Sequence, residues 1–333
     1  MANPAGSPLD KPWDSASLQP AVSALLSGAP VIVPTETVYG LAADATAEKA
    51  VQAIYAAKGR PSNNPLICHV ADMAMAREIA DFQADLEALA KKFWPGPLTI
   101  VAPLKQDARI AKSATAGLDT VAVRCPKKAV MRQLIGLVGK PLAAPSANRS
   151  GKLSPVTASA AATSLQGRVT LAIDDGPSEK GLESTIVTFK KGALHILRPG
   201  VITREDLQAK TNLPIVETDS ADEKLTAPGQ LQSHYAPQKP VRLNIEEKQQ
   251  GHVLIGFGSV KGDISLSPAG DLMEAARNLY TVMGDADALE GVCIDVAPIP
   301  MEGLGVAIND RLKRSAAPRP EEAQGTAIAG KTS

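Results

Sequence analysis

The chain has 333 residues, 44% hydrophobic, 21% charged and only 3% aromatic, with 35 Lys and Arg against 35 Asp and Glu. That is the composition of a folded protein with room for two domains. Zero net charge excludes binding of polyanions through overall charge, so any attraction for phosphate has to be local. Cys68, Cys125 and Cys293 lie far apart with no C-x-x-C pair, which argues against a disulfide framework or a cysteine-rich zinc site. Together with the lack of a basic-then-apolar leader or of a membrane-length apolar run, this predicts a cytoplasmic protein.

From Ala29 to about Leu213, short β-rich runs alternate with amphipathic helical windows. VIVP, PLICHV, LTIVAPL, TVAVR and PLAAPS read as strands, followed by LAIDD, STIVTF and ALHILRPG. Residues 47–58, 73–93, 129–137 and 157–165 carry helical periodicity. Connections of uneven length and three consecutive late strands predict an α/β domain with a mixed sheet. The stretch 214–240 is polar, contains proline and lacks periodicity, so it reads as a linker or a functional loop. A second, smaller α/β unit follows: HVLIGFG and GVCIDVAP as strands, 272–283 and 305–314 as helices. The expected boundaries are 15–213, a linker or lid over 214–240, a small domain over 241–315, and a disordered tail over 316–333.

Two glycine patterns invite a nucleotide-binding reading and do not earn it. Residues 325–332 spell G-T-A-I-A-G-K-T, a literal phosphate-loop match, but that mechanism needs a strand before and a helix after, and this sequence stops one residue later. Gly256-Phe257-Gly258 follows a strand, but its third glycine is misplaced, and a tight turn is the better reading.

Three segments concentrate chemistry. PTETVYGLAADA brings Thr35, Glu36, Thr37 and Tyr39 to a strand end, where α/β sheets place ligand groups, although capping hydroxyls in a turn would look alike. In KGRPSNNPLICHV, Gly59 stands where a helix C-cap glycine belongs, and Lys58 suits that helix's negative end. Arg60 lies beyond the cap on a proline-stiffened loop, Asn63 and Asn64 add amides, and His69 sits within an apolar strand. PLAAPSANRSGKLSP runs a strand into Ser146, Asn148, Ser150 and Ser154, with Arg149 and Lys152, which suits either an anion cradle or a surface loop. Arg124, Arg198, Ser184 and Thr185 mark other strand ends. Hydroxyls, amides and cations without a metal cluster suit binding and polarising a polyphosphate, where positioning and charge do the work.

PTETVYGL, KGRPSNNPLICHV, FWPGPLTIV, DTVAVRCP, PLAAPSANRSG, ESTIV and LRPG, in this order, closely resemble the YrdC-like domain of threonylcarbamoyl-AMP synthases. HYAP at 234–237 and the ending GLGVAINDRLKRSA resemble the longer, two-domain members, whose small domain is Rossmann-like. The resemblance implies a nucleotidyltransferase that joins L-threonine, bicarbonate and ATP into threonylcarbamoyl-AMP and releases pyrophosphate. The product would supply a tRNA threonylcarbamoyl transferase complex acting at adenosine 37 of ANN-decoding tRNAs. It further implies threonine contacts from Thr35, His69, Arg124, Ser184 and the backbone at Ala144. ATP contacts would come from Arg60, Asn64, Thr120, Ser146, Ser154, Arg198 and Tyr235. Lys58, Arg60, Ser146 and Asn148 would carry catalysis, with Mg²⁺ on the ATP phosphates and no protein metal ligand. Before HYAP this chain has Gln230, Leu231, Gln232 and Ser233 in place of the basic and aromatic residues common in relatives. The rival reading is an RNA- or nucleotide-binding module without synthase activity.

Overall fold

The computed structural model describes residues 15–217 and 234–318. The G-T-A-I-A-G-K-T match and most of the linker expected over 214–240 lie outside them. The chain divides into two compact units. Within the described residues, the second takes Gly151–Leu153 and everything from His234 onward, and the first takes the rest.

The first unit runs α1 Ser15–Leu26, β1 Val31–Val33, β2 Gly40–Asp44, α2 Glu48–Lys58, β3 Ile67–His69, α3 Met73–Ile79, α4 Ala84–Phe93, β4 Leu98–Pro103, β5 Thr120–Arg124, α5 Ala129–Val138, β6 Leu142–Ala143, α6 Ala158–Ser164, β7 Thr185–Lys190, β8 Ala193–Arg198, α7 Arg204–Gln208 and β9 Ile215–Glu217. Its strands form one sheet in the order β1-β2-β6-β3-β5-β4-β7-β8-β9. The sheet is mixed, as the uneven connections predict: β3–β5, β4–β7 and β8–β9 are parallel and the other pairs antiparallel.

Three local readings are corrected. The helical window over 73–93 is two helices, because Asp72 caps α3 through the Met75 N–H while Ala80 leaves the helix to bridge Leu104. LAIDD contributes a single bridge, Ala172 to Ile32, rather than a strand. The segment after Pro34 turns for five residues and then becomes β2, whose alanines hide it from a search for β-branched runs.

The two-residue period of the strands sorts the sheet into two faces. One face, with Leu41, Ala43, Cys68, Leu98, Ile100, Val123, Ala143 and Val187, joins the main core with Val51 and Ile54 of α2 and Leu86 and Leu89 of α4. Each such leucine or isoleucine contributes about 1.5–3 kcal/mol by leaving water. The other face is covered at the β1-β2-β6 end by Leu18 and Leu25 of α1 and Met131, Leu134 and Ile135 of α5. Its middle is a small apolar floor of Ile67, Val101, Ala122, Ile186 and Leu197. The polar strand ends rise beside that floor.

The second unit runs β10 Val241–Leu243, β11 His252–Gly256, β12 Ile264–Ser265, α8 Leu272–Ala288, β13 Cys293–Val296 and α9 Leu304–Ala316. Its sheet, ordered β10-β13-β11-β12, is parallel throughout. Asp271 caps α8 by accepting from the Met273 and Glu274 N–H groups. Gly256 enters a tight turn in which Phe257 and Val260 exchange backbone hydrogen bonds of 3.1 Å. A Cβ on Gly256 would meet the Val260 carbonyl oxygen at 2.4 Å, so backbone crowding accounts for this glycine. Among the described residues no helix is long and apolar enough to cross a membrane.

Candidate active site

The turn after β1 is self-locked. Thr35 Oγ1 accepts from the N–H groups of Thr37 and Val38 and donates to the Val38 carbonyl at 2.7 Å. It also lies 2.8 Å from the Thr37 hydroxyl. Backbone bonds of 2.8 Å from Tyr39 to Pro155, Leu41 to Pro145 and Ala147 to Tyr39 tie the turn to both ends of the 145–155 loop. The Ser178 hydroxyl holds the Thr35 carbonyl at 3.0 Å and the Lys180 N–H holds that of Glu36 at 2.9 Å.

Strand register sets a polar row beside the floor. His69 on β3 lies opposite Arg124 on β5, and Ile186 on β7 pairs with both Thr99 on β4 and Arg198 on β8. Arg124 is buried with three anchored nitrogens. Nε donates to the Gly96 carbonyl (3.3 Å), Nη1 to Thr37 Oγ1 (3.0 Å), and Nη2 forms an ion pair with Glu36 at 2.8 Å. Burial alone would raise the Glu36 pKa, but the Arg124 charge and hydrogen bonds outweigh it and hold the carboxyl below its usual range. For His69, burial first and the Arg124 charge second push the imidazole down to about 3, so it is neutral near pH 7. Its Nδ1 lies 3.3 Å from the Ile67 carbonyl.

Ser184 and Arg198 form the other end of the row. The Ser184 hydroxyl meets that of Thr99 at 2.7 Å, and Arg198 Nη2 donates to the Ser184 carbonyl at 2.8 Å and hydroxyl at 3.2 Å. Gly200 permits this approach, since a Cβ there would lie 2.5 Å from the Glu183 carbonyl oxygen and the Thr185 nitrogen. Ser154 donates to the buried carboxylate of Glu183 at 2.7 Å.

The end of α2 supplies the remaining groups. Gly59, at φ 62°, caps the helix in the left-handed region. Lys58, 2% exposed, turns inward and donates to the carbonyls of Ser146 (2.6 Å) and Asn148, while Ser150 N–H returns to the Lys58 carbonyl. Burial, then the nearby Arg60 charge, lower its pKa well below the ordinary lysine value. Arg60, half-buried, donates to the carbonyls of Asn64 (3.2 Å) and Pro65 (3.0 Å). Asn64 is fully buried, and its side-chain amide has no hydrogen-bond partner among the described residues. Asn148 is buried and donates to the Arg149 carbonyl at 2.8 Å.

Thr35, Thr37, Arg124 and Glu36 thus form one bonded cluster, with His69 opposite Arg124 in the register. Thr99, Ser184 and Arg198 form another, and Lys58, Ser146 and Asn148 form a third. The first and third meet where Gly40 bridges Ser146 and where Ala144 N–H bonds to Ile67. Thr120 lies on the same face as Arg124 but at the start of β5, opposite Pro103, about 13 Å along the strand. Tyr235 belongs to the second unit. It is buried there at φ 61°, 5.7 Å from the Tyr280 ring and 4.1 Å from His234, under the Arg311 guanidinium at 5.3 Å. Sequence reasoning did not single out Thr99 and Glu183, or the partnership of Glu36 with Arg124. The only signal was a hydroxyl or an acid interrupting apolar strand residues.

His252, Cys293 and Asp295 in the second unit bring possible metal ligands within 4.8 Å of one another. Both Asp295 oxygens accept from Arg242 at 2.7 Å, so a guanidinium already supplies the charge a metal ion would bring.

A mixed sheet with this polar row, followed by a small parallel α/β unit, defines a two-domain protein of the Sua5, YciO and YrdC class. The model of that family, described as Telomere recombination, matches residues 23–200, and the model Threonylcarbamoyl-AMP synthase, C-terminal domain, matches 202–317. The threonylcarbamoyl-AMP synthase of Bacillus subtilis is 38% identical over 87% of this chain and 90% of its own length. The one from Pyrococcus abyssi is 37% identical over 89% and 92%. The crystal structure of P. abyssi Sua5 complexed with L-threonine superposes with a TM-score of 0.84 at 33% identity, covering 92% of this chain and 96% of that one. The chain belongs to the threonylcarbamoyl-AMP synthase family and is an enzyme of the nucleotidyltransferase kind.

Proposed function

We propose that the chain makes L-threonylcarbamoyl-AMP from L-threonine, bicarbonate and ATP, releasing pyrophosphate. This would be the first step toward N6-threonylcarbamoyladenosine at position 37 of ANN-decoding tRNAs. The observation that carries this reading is the meeting of a neutral buried imidazole, two buried guanidiniums and small hydroxyls on one sheet face. That set suits an amino acid with a carboxylate and a hydroxyl. The adjoining Arg60, Asn64 and Ser146 set suits a polyphosphate.

In this reading Thr35, His69, Arg124, Ser184 and the Ala144 backbone hold threonine, and Arg60, Asn64, Thr120, Ser146, Ser154 and Arg198 hold ATP. The threonine amine takes up bicarbonate with loss of water to give N-carboxythreonine. A carboxylate oxygen then attacks the α-phosphorus of ATP, the bond to the bridging oxygen breaks, and pyrophosphate departs. Arg60 and Arg198 offset the gathering negative charge. Lys58 and Asn148 keep the 146–150 loop in shape. Magnesium prefers oxygen ligands. The nearby carboxylates, Glu36 and Glu183, already bond Arg124 and Ser154, so the ATP phosphates themselves would hold the ion, where it would screen their charge. The product would pass to a tRNA threonylcarbamoyl transferase complex.

The test is incubation with ATP, Mg²⁺, threonine and labelled bicarbonate. Labelled threonylcarbamoyl-AMP is expected, with pyrophosphate release dependent on both threonine and bicarbonate. Equal release with no amino acid present would overturn the reading.

A further inference from the structure

We infer that Glu36 is a positioning and specificity-determining residue of the amino-acid subsite, fixing the Arg124 guanidinium and balancing its charge so that the subsite takes a zwitterionic amino acid rather than a simple anion. The inference rests on the threonine site proposed above. Its starting point is the clamp around Arg124. Gly96, before β4, takes Nε, while the consecutive residues Glu36 and Thr37, after β1, take Nη2 and Nη1. Two separate segments therefore fix the plane of the guanidinium. Of the five N–H groups an arginine offers, two make hydrogen bonds here, from Nε and Nη1, while Nη2 lies in the ion pair with Glu36, so both terminal nitrogens keep N–H capacity for a substrate carboxylate.

The second step is charge. The side chains of Arg124 and Glu36 are 4% and 1% exposed, so neither is screened by water. A lone buried guanidinium would attract any small carboxylate that fits. With Glu36 ionised and His69 neutral, the charges of these three residues sum to zero, and a net-neutral zwitterion enters without adding charge to a dry site. The third step is anchorage. The backbone that carries Glu36 is held in place, because its carbonyl accepts from Lys180 N–H and both its neighbours, Thr35 and Thr37, are bonded to each other.

The experiment compares the full-length wild type with Glu36→Gln, Glu36→Asp and Thr37→Val. Readouts are threonine Kd by calorimetry, KM and kcat for pyrophosphate release, and competition by 3-hydroxybutyrate, which keeps threonine's carboxylate and hydroxyl but lacks its amine. Glu36→Gln is expected to weaken threonine about tenfold, the scale of one charge-assisted contact, with kcat changed far less. It should also bind 3-hydroxybutyrate several-fold more tightly than the wild type does. Glu36→Asp should recover much of the threonine affinity. Thr37→Val, which loosens the clamp but keeps the charge pair, should raise the threonine Kd without strengthening 3-hydroxybutyrate. Unchanged threonine Kd and unchanged competition in Glu36→Gln, whatever its melting temperature, would overturn the inference. Should Glu36→Gln not fold, Glu36→Asp and Thr37→Val decide: wild-type threonine Kd in both would overturn it, and a raised Kd in folded protein would support it. A wild type that binds threonine without releasing pyrophosphate would instead sink the proposed reaction, leaving the Kd and competition measurements to judge Glu36.

Discussion

The Nζ atom of Lys58 lies 2.6 Å from the carbonyl oxygen of Ser146, and the same ammonium donates to the carbonyl of Asn148. A lysine one residue before a helix cap would ordinarily reach solvent; this one is spent on shaping the loop that follows β6. Lys58→Met keeps the stem and removes the donors. It is expected to leave the 146–150 loop unbraced, cutting turnover at least 100-fold while shifting the unfolding free energy by only about 1–2 kcal/mol in either direction, since burying the charge is itself costly. Turnover and chemical denaturation on the same sample check this. Turnover within threefold of wild type would show that the brace is dispensable.

Arg60 is half-buried and donates to the nearby backbone carbonyls of Asn64 and Pro65, so its loss should be light on folding. Arg60→Ala is expected to cost about 1 kcal/mol or less of stability. It should cost about 2–4 kcal/mol of transition-state stabilisation through ATP. A large drop in melting temperature with normal turnover would reverse that assignment.

Asn64 gives the opposite pairing of effects. Its buried amide has no partner among the described residues, a burden of about 1–3 kcal/mol that an apolar side chain of similar size would relieve. Asn64→Leu is therefore expected to match or exceed wild-type thermal stability while raising the KM for ATP. A clear fall in melting temperature would count against it.

The Gly200 site should tolerate nothing larger. An added Cβ would collide with backbone atoms of Glu183, Ser184 and Thr185, none of which can rotate away. Gly200→Ala is expected to cost about 2–4 kcal/mol and to raise the threonine KM by displacing Ser184 and Arg198. Equilibrium unfolding combined with threonine titration reads both effects.

His69 predicts part of the acid limb of stability. Its imidazole is lowered to about 3 in the fold against an unfolded value near 6.5, so the unfolded chain binds the extra proton between those limits. Its contribution is fully present above about pH 6.5 and is lost as pH falls toward 3. Between pH 6.5 and 5 most carboxylates stay ionised, and His69→Asn should flatten the fall in melting temperature there. An unchanged slope would mean that the imidazole is not dry.

Much of the fold was legible because its signals are local. β-branched runs gave β1, β3, β4, β5, β7 and β8, and Gly59 marked the end of α2. The α/β class with a mixed sheet and a second small unit followed from their spacing. β2 escaped because alanines carry no strand signal, and the break at Ala80 because the apolar period continues across it. The site was legible as segments rather than as contacts. Sequence could place Thr35, Arg124 and Ser184 at strand ends, but register alone sets His69 beside Arg124. Lys58 read as a cation suited to its helix's negative end, and by resemblance as catalytic, yet its donors go to two carbonyls, a fact about direction that residue type does not carry.

The order of the nine-stranded sheet bears on how the protein comes to be folded. β1 and β2 can pair as a local hairpin, and so can β7 and β8, whereas β2 must find β6 and β4 must find β7 across long stretches of chain. Closing such loops loses entropy before the contacts return it, which slows folding. The polar row needs β3, β5, β4, β7 and β8 side by side, so a nascent chain cannot grip a ligand until the distant pairings are in place. Substrates should accordingly slow unfolding of the finished protein while leaving its rate of folding almost untouched.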